Sequence, residues 1–251
     1  MSPIGAMLYR EAKIRATNLI FIFWDVINPL AYMLVFGVGV NAAMGSPFAS
    51  GEVDYNAFFL ASVLAMASFG IASNTSWSFF LDRDNGIFFE MLTYPLSRSA
   101  YMLGKVIFTV LVSVVQTALT LILAATLFRI RLQPALIPLV FLAMIVGTAG
   151  WFFFYSIFAL RTRRNDIFNT VTSILYFVFL FASSLFYPLE PLPKWFQTAA
   201  LVNPITWQID LMRYATIGIG SARTVVIESI AFLVFGLASF IYAARCLQKQ
   251  E

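Results

Sequence analysis

The stretch "VIFTVLVSVVQTALTLILAATLF", residues 106–128, constrains this chain more than any other. It is apolar on every side, and as a helix it is long enough to cross the ~30 Å hydrocarbon core of a bilayer. Barrel strands would alternate apolar and polar residues at period two, which this run does not do. A backbone in lipid must satisfy its own hydrogen bonds, and that leaves an α-helix. Comparable stretches recur, giving six at about 19–40, 55–79, 101–127, 134–159, 167–187 and 225–245. The expected fold is an all-α membrane protein with six transmembrane helices, forming a single domain over 1–251.

Composition agrees and removes several function classes. Hydrophobic residues make up 61% and charged residues 11% of the chain, against about 45–50% and 25% in soluble domains. The excess of 16 Lys and Arg over 12 Asp and Glu is mild and forms no basic stripe, so nucleic acid is not an expected partner. Cys246 is the single cysteine and there is no histidine, which excludes an intrachain disulfide, a CxxC site and any His-based metal or acid–base centre. Placing both termini on the cytoplasmic side puts eleven of the 16 basic residues inside, as the positive-inside rule favours; Arg129 and Arg131 are a local exception. The first apolar run is too long for a signal-peptide core and lacks a small-residue cleavage site, so it is expected to belong to the mature chain.

Three segments do not span. In 1–18, Ile4, Met7, Leu8 and Ala12 share a face with Arg10, Lys13 and Arg15 largely off it, the pattern of an interfacial helix or of a frayed tail that only sets topology. In 80–99, "DRDNG" reads as a turn and cap, Gly86 to Leu92 as two helical turns, and Pro95 as a stop. Phe88, Met91 and Leu92 fall on one face there, with Phe89 and Glu90 elsewhere, so a protein groove or the lipid interface should receive that face. In 188–224, "PLEPLPKWFQTAALVNP" and "ITWQIDLMRYATIGIG" offer two short helices, re-entrant or held at the interface by Trp195 and Trp207.

"RDNGIFFEMLTYPLSRSAYMLGK", residues 83–105, resembles the cytoplasmic loop of type 2 ABC-transporter permeases. The resemblance rests on Asp84, Gly86, Glu90, Leu92, Pro95, Ser97, Arg98, Gly104 and Lys105. "LFYPLEPLPKWFQTAALVNPITWQIDLMRYA" is similar to that family's outer segment, with Pro188, Leu192, Pro193, Asn203-Pro204 and Arg213 in order. The resemblance implies a multi-pass subunit of a bacterial inner membrane, dimeric, that exports polysaccharide, lipid-linked glycan, lipo-oligosaccharide or drug. It further implies two copies of a separate P-loop ATPase, which would bind ATP and Mg. Arg83, Asp84, Gly86, Phe88, Phe89, Glu90, Leu92, Pro95 and Arg98 would then form the ATPase-coupling helix and its flanks, and Trp195, Asn203, Pro204 and Arg213 an outer gate. The chain itself is expected to hold no cofactor: its one Gly-Lys, Gly104-Lys105, has Ser99 where a P-loop needs its first Gly and Val106 where it needs Ser or Thr.

Polar residues inside the spans offer a path. Asp25 is costly in an apolar run and is read either as structurally paired near the inner interface or as a proton or substrate group. Asn28-Pro29 beyond it should kink the helix. Ser73, Asn74, Thr75, Ser76 and Ser78 can bond to neighbouring helices or line a path. Most aromatics of "WFFFYSIF" and "LYFVFLFASSLFY" read as lipid-facing bulk. In the fifth span, which the resemblance places at the dimer axis, Tyr176, Phe177, Phe181 and Ser184 join Asp25 and Asn74 as candidate path residues. A rival class is a proton-driven secondary transporter carrying protons on Asp25 and Glu228. An intramembrane lipid enzyme is disfavoured, because no nucleophile sits beside a base.

Overall fold

The computed structural model describes residues 2–18, 20, 23–39, 55–94 and 96–249. Among these there is no strand. The helices, in order, are α1 (Pro3–Thr17), α2 (23–38), α3 (Tyr55–Asp84), α4 (Ile87–Met91), α5 (Arg98–Thr126), α6 (Ile137–Arg161, entered through a 3-10 turn at Pro134–Leu136), α7 (Asn165–Phe181), α8 (Lys194–Val202), α9 (Pro204–Ile217) and α10 (Ala222–Gln248). Of these, α3, α5, α6 with its entry turn, and α10 are long and apolar enough to cross a membrane, while α7 is a shorter apolar helix. The first expected span lies partly outside the described residues. Its described part, α2, carries π-helical turns at Phe23–Ile27 and Met33–Val38 on either side of an α-helical Asn28–Tyr32, so the residues around Pro29 absorb its missing N–H with altered helical pitch.

α3 is the central pillar, with α2, α5, α6, α7 and α9 packed around it. At 30 residues it is about 45 Å long. Ala61, Ala65, Ser68 and Ala72, all fully buried, form a small-residue face along it, which lets neighbouring backbones approach where lipid offers no hydrophobic drive. α10 packs on α6, and α1 lies along α5. The aromatic run of α6 turns inward rather than to lipid: Trp151, Phe152 and Tyr155 are fully buried. Trp151 meets Phe69 edge-on at 4.6 Å, Phe235 at 5.2 Å and Phe179 at 5.5 Å. Its indole needs a partner there and finds one, donating to Gln208 Oε1 at 2.8 Å.

Several boundaries differ from expectation. α3 continues through Asp84, so the turn is confined to Asn85 and Gly86, and α4 ends at Met91, well before Pro95, which lies outside the described residues. The fifth apolar run is helical only to Phe181. There the Asn203 side chain donates to the carbonyls of Phe179 and Ala182 at 2.8 and 2.7 Å, supplying partners to backbone acceptors at the helix end. α1 is also rotated from the expected face. Its buried residues are Met7, Glu11 and Arg15, whereas Ala12 is exposed.

α1 fits against α5 because residue 104 has no side chain. A Cβ added at Gly104 would lie 2.5 Å from Met7 Cβ. Gly104→Val is therefore expected to unseat α1 and cost about 1–3 kcal/mol, seen as a lowered Tm in detergent with faster proteolysis at the N-terminus.

Candidate functional site

At one end of the bundle α1, α3 and α5 enclose an ionic cluster. Lys105 on α5 is fully buried. Its Nζ donates to Glu11 Oε1 at 2.9 Å and to Ser78 Oγ at 3.1 Å, and lies 2.9 Å from Asp82 Oδ2. Arg10 grips Asp82 with both terminal nitrogens, at 2.6 and 3.0 Å, and also donates to Glu11 at 2.9 Å. The Tyr101 hydroxyl donates to Asp82 as well. Two cations thus face two carboxylates with their hydrogen bonds largely satisfied, the condition under which buried charge is tolerated. Burial works against the Arg10 charge, but the hydrogen bond and charge of Asp82 outweigh it and raise its pKa.

α4 caps this cluster. Gly86 stands before it with φ of 76°, a left-handed conformation that glycine adopts without strain. Phe88 is fully buried, 5.1 Å from the Tyr101 ring and 5.9 Å from Phe79. The face expected to meet a partner therefore turns inward. The Phe79–Tyr101 pair that receives it belongs to the chain itself, and helical spacing alone does not distinguish it from a groove on another protein. Phe89, Glu90 and Asp84 are exposed, and Leu92 is half-buried. Arg83 turns back to the α6–α7 junction, donating to Leu160 O at 2.6 Å and to Thr162 O. Arg98 donates to Gln248 O at 2.9 Å.

Beside the cluster, Asp25 is buried and pairs with Arg15 of α1. It also accepts from Asn74 Nδ2 at 2.9 Å, and Arg15 donates to Thr75 Oγ1 at 2.8 Å. Arg10 and Arg15 thus point into the protein rather than to head groups. Burial lowers the Arg15 pKa to about 10, which leaves it charged at neutral pH.

A cavity of about 1310 Å³ opens between α2, α3 and α7. Of the expected path residues, Asn74, Tyr176, Phe177 and Phe181 line it. Asp25 stays behind Asn74, and Ser184 is elsewhere, donating to Asp210 at 3.2 Å. Among the described residues no charged side chain lines the cavity. Ser73, Asn169 and Ser173 line it toward the ionic cluster together with Trp77 and Phe168, and Phe36, Phe181 and Phe186 line it toward the opposite end. At that opposite end Arg213 of α9 is buried, 2.9 Å from Asp210, donating to Ser184 O at 3.0 Å and lying 3.9 Å over the Phe58 ring. Asn203 and Pro204 begin α9, and Trp195 of α8 is 73% exposed.

Glu11, Asp82 and Tyr101 escaped sequence reasoning, as did Gln208. Charged residues near span ends read as topology signals, and their pairing depends on contacts 19 to 94 residues apart that no local pattern encodes. Lys105→Met is expected to cost about 3–5 kcal/mol by leaving Glu11 and Asp82 short of a cation. A double change with Glu11→Leu should recover part of that loss in thermal melts.

The comparisons agree with this architecture. Residues 3–217 match the model of the ABC-2 type transporter family. The chain is 26% identical to a transport permease named ycf38 from Cyanophora paradoxa, over 82% of this chain and 70% of that one. It is 26% identical to the ycf38 permease of Pyropia yezoensis, over 82% and 74%. It is also 26% identical to YbhR of Escherichia coli (strain K12), which carries the name of a multidrug ABC transporter permease, over 64% of this chain and 44% of that one. The family match spans everything from α1 to the end of α9, cluster, cavity and α4 included, and the chain belongs to the ABC-2 type transporter family as a membrane permease.

Proposed function

We propose that this permease is the transmembrane subunit of an ATP-driven exporter, as a homodimer or paired with a similar chain on two copies of a separate P-loop ATPase. Both termini then lie on the cytoplasmic side of a bacterial inner membrane. The observation that carries this reading is the build of α4: Phe88 is driven into the bundle while Phe89 and Glu90 remain exposed beside it. A push on the exposed pair passes through Phe88 to Phe79 and Tyr101, and through Tyr101 to Asp82 and the ionic cluster. Arg83 carries the same displacement to the α6–α7 junction, and α7 is a wall of the cavity.

The cavity serves as half of the cargo path, completed by the second subunit at α7. A lining that among the described residues offers amide, hydroxyl and aromatic groups without charge supports an amphipathic or uncharged cargo. Polysaccharide, lipid-linked glycan and drug-like molecules all meet that description, and the name of the E. coli relative favours the drug class. α8 and α9, with Trp195, Asn203, Pro204 and Arg213, form the gate at the outer end. Asp25 is engaged by Arg15 and Asn74 and so is a poor proton carrier, which weighs against the secondary-transport reading.

Phe89→Ala with Glu90→Ala should leave the Tm unchanged yet weaken co-purification of the ATPase about tenfold or more, as loss of an interface anchor does. Cargo-stimulated ATP hydrolysis should fall with it. Phe88→Ala should instead lower stability by about 3–5 kcal/mol. If no ATPase associates and export collapses with the proton gradient, the reading fails.

A further inference from the structure

Three arginines that the buried cluster leaves over, Arg98, Arg161 and Arg245, gather at the same end of the molecule. Arg161 closes α6, and its guanidinium lies 5.0 Å over the Tyr242 ring of α10. Arg245 is exposed three residues further along α10, which places it on the same side of that helix as Tyr242. Arg98, the first residue of α5, reaches Gln248 O at 2.9 Å and brings a third guanidinium to the last turn of α10. All three stand at ends of helices long enough to span, the depth at which lipid head groups lie.

No carboxylate on these elements answers them. α5 and α6 carry no Asp or Glu, and the single acid of α10, Glu228, is near its other end. Asp166, just past the α6–α7 junction, is already held by Arg164 at 2.6 Å. Directly beside the guanidinium groups, α10 exposes Val234, Leu237 and Ile241 at 61%, 59% and 49%, spaced to form one apolar strip. The position asks for an anion whose other end is hydrocarbon.

We propose that this corner of α5, α6 and α10 is a binding site for an anionic phospholipid. Its phosphate sits between Arg161 and Arg245 and an acyl chain lies along the Val234–Ile241 strip. Arg161 is held over Tyr242 and so loses little freedom on binding, and a guanidinium can meet a phosphate with two parallel hydrogen bonds. An acidic protein surface would satisfy the arginines but leave the apolar strip without a match.

The test uses the full chain, stripped of lipid in neutral detergent, with native mass spectrometry reading retained adducts. Short-chain phosphatidylglycerol should be retained in preference to short-chain phosphatidylcholine and to glycerol 3-phosphate. Arg161→Gln with Arg245→Gln should weaken retention roughly 30-fold, and Tyr242→Ala should weaken it less, given about a fivefold share for each basic residue near an anionic surface. Arg161→Lys with Arg245→Lys should keep much of the binding, and Arg223→Gln at the far end of α10 should change nothing, both with unaltered Tm. Equal retention of the two lipids, or of phosphatidylglycerol by the Gln variant, overturns the proposal. So does binding of glycerol 3-phosphate as tightly as the lipid, which would make the site one for a free anion. Loss of ATPase co-purification with lipid retention intact would assign the arginines to a protein partner instead.

Discussion

A lysine ammonium shut off from water is tenable only if carboxylates are brought to it, and Lys105 is such a lysine. Its partners come from two other helices, Glu11 from α1 and Asp82 from α3. Once Lys105 is buried, the positions of α1 and α3 follow. α1 lies against α5 at Gly104, Arg10 comes to rest on Asp82, and Arg15, two turns from Met7 on the same buried face, reaches Asp25 on α2. Four helices are joined by charge at one end of the bundle, and α4 is seated on the aromatic pair beside them. The proposed coupling depends on this arrangement, since a displacement of α4 meets a connected set of helices and not one loop.

The same charge pairing shapes the cavity. By engaging Asp25, Arg15 removes the one acidic group that α2 could have presented to the space between α2, α3 and α7. Asn74 shields it further, with its amide toward Asp25 and its residue still on the cavity wall. The result is a large lining that, among the described residues, mixes amides, hydroxyls and aromatic rings and carries no charge. A cargo is met by hydrogen bonds and by flat apolar surface, and its own ionic charges would find no counter-charge among the described lining residues.

The broad fold was legible because membrane spans announce themselves by length and uniform apolarity. α3, α5, α6 and α10 appear where such runs were read, with ends displaced by a few residues. The cavity lining was partly legible too: Asn74, Tyr176, Phe177 and Phe181 are polar-edged or bulky residues on helices expected to meet. What stayed hidden depends on orientation around a helix axis. Phe88 and Trp151 are indistinguishable in sequence from residues facing a partner or lipid, because in an apolar environment both sides of a helix read alike. Glu11 and Arg15 were hidden for the opposite reason. Charged residues on a short terminal helix read as interfacial or topology-setting until a distant Lys105, Asp82 or Asp25 accounts for their burial.

Gln208 on α9 spends its side-chain amide within the bundle, accepting from Trp151 on α6 and donating to Ser68 on α3 at 3.0 Å, while Thr148 donates to the same serine at 3.2 Å. The three helices are thereby riveted near mid-depth, and prying them apart would strand polar groups in hydrocarbon. α7 is tied toward its ends, where Trp77 of α3 donates to Asn165 at 3.4 Å and Asn203 at the start of α9 donates to Phe179 O; Phe168, Thr172 and Leu180 are its buried residues, and Val171, Leu175, Tyr176 and Phe179 are half-buried. The chamber therefore has one wall, α3, tied at mid-depth, and another, α7, tied toward its ends. Between those ends α7 meets the bundle through ring contacts of Tyr176 and Phe179 with Phe69 and Trp151, so a cargo that bears on its middle works against packing, whereas one that parts α3, α6 and α9 must also strand the Gln208 amide.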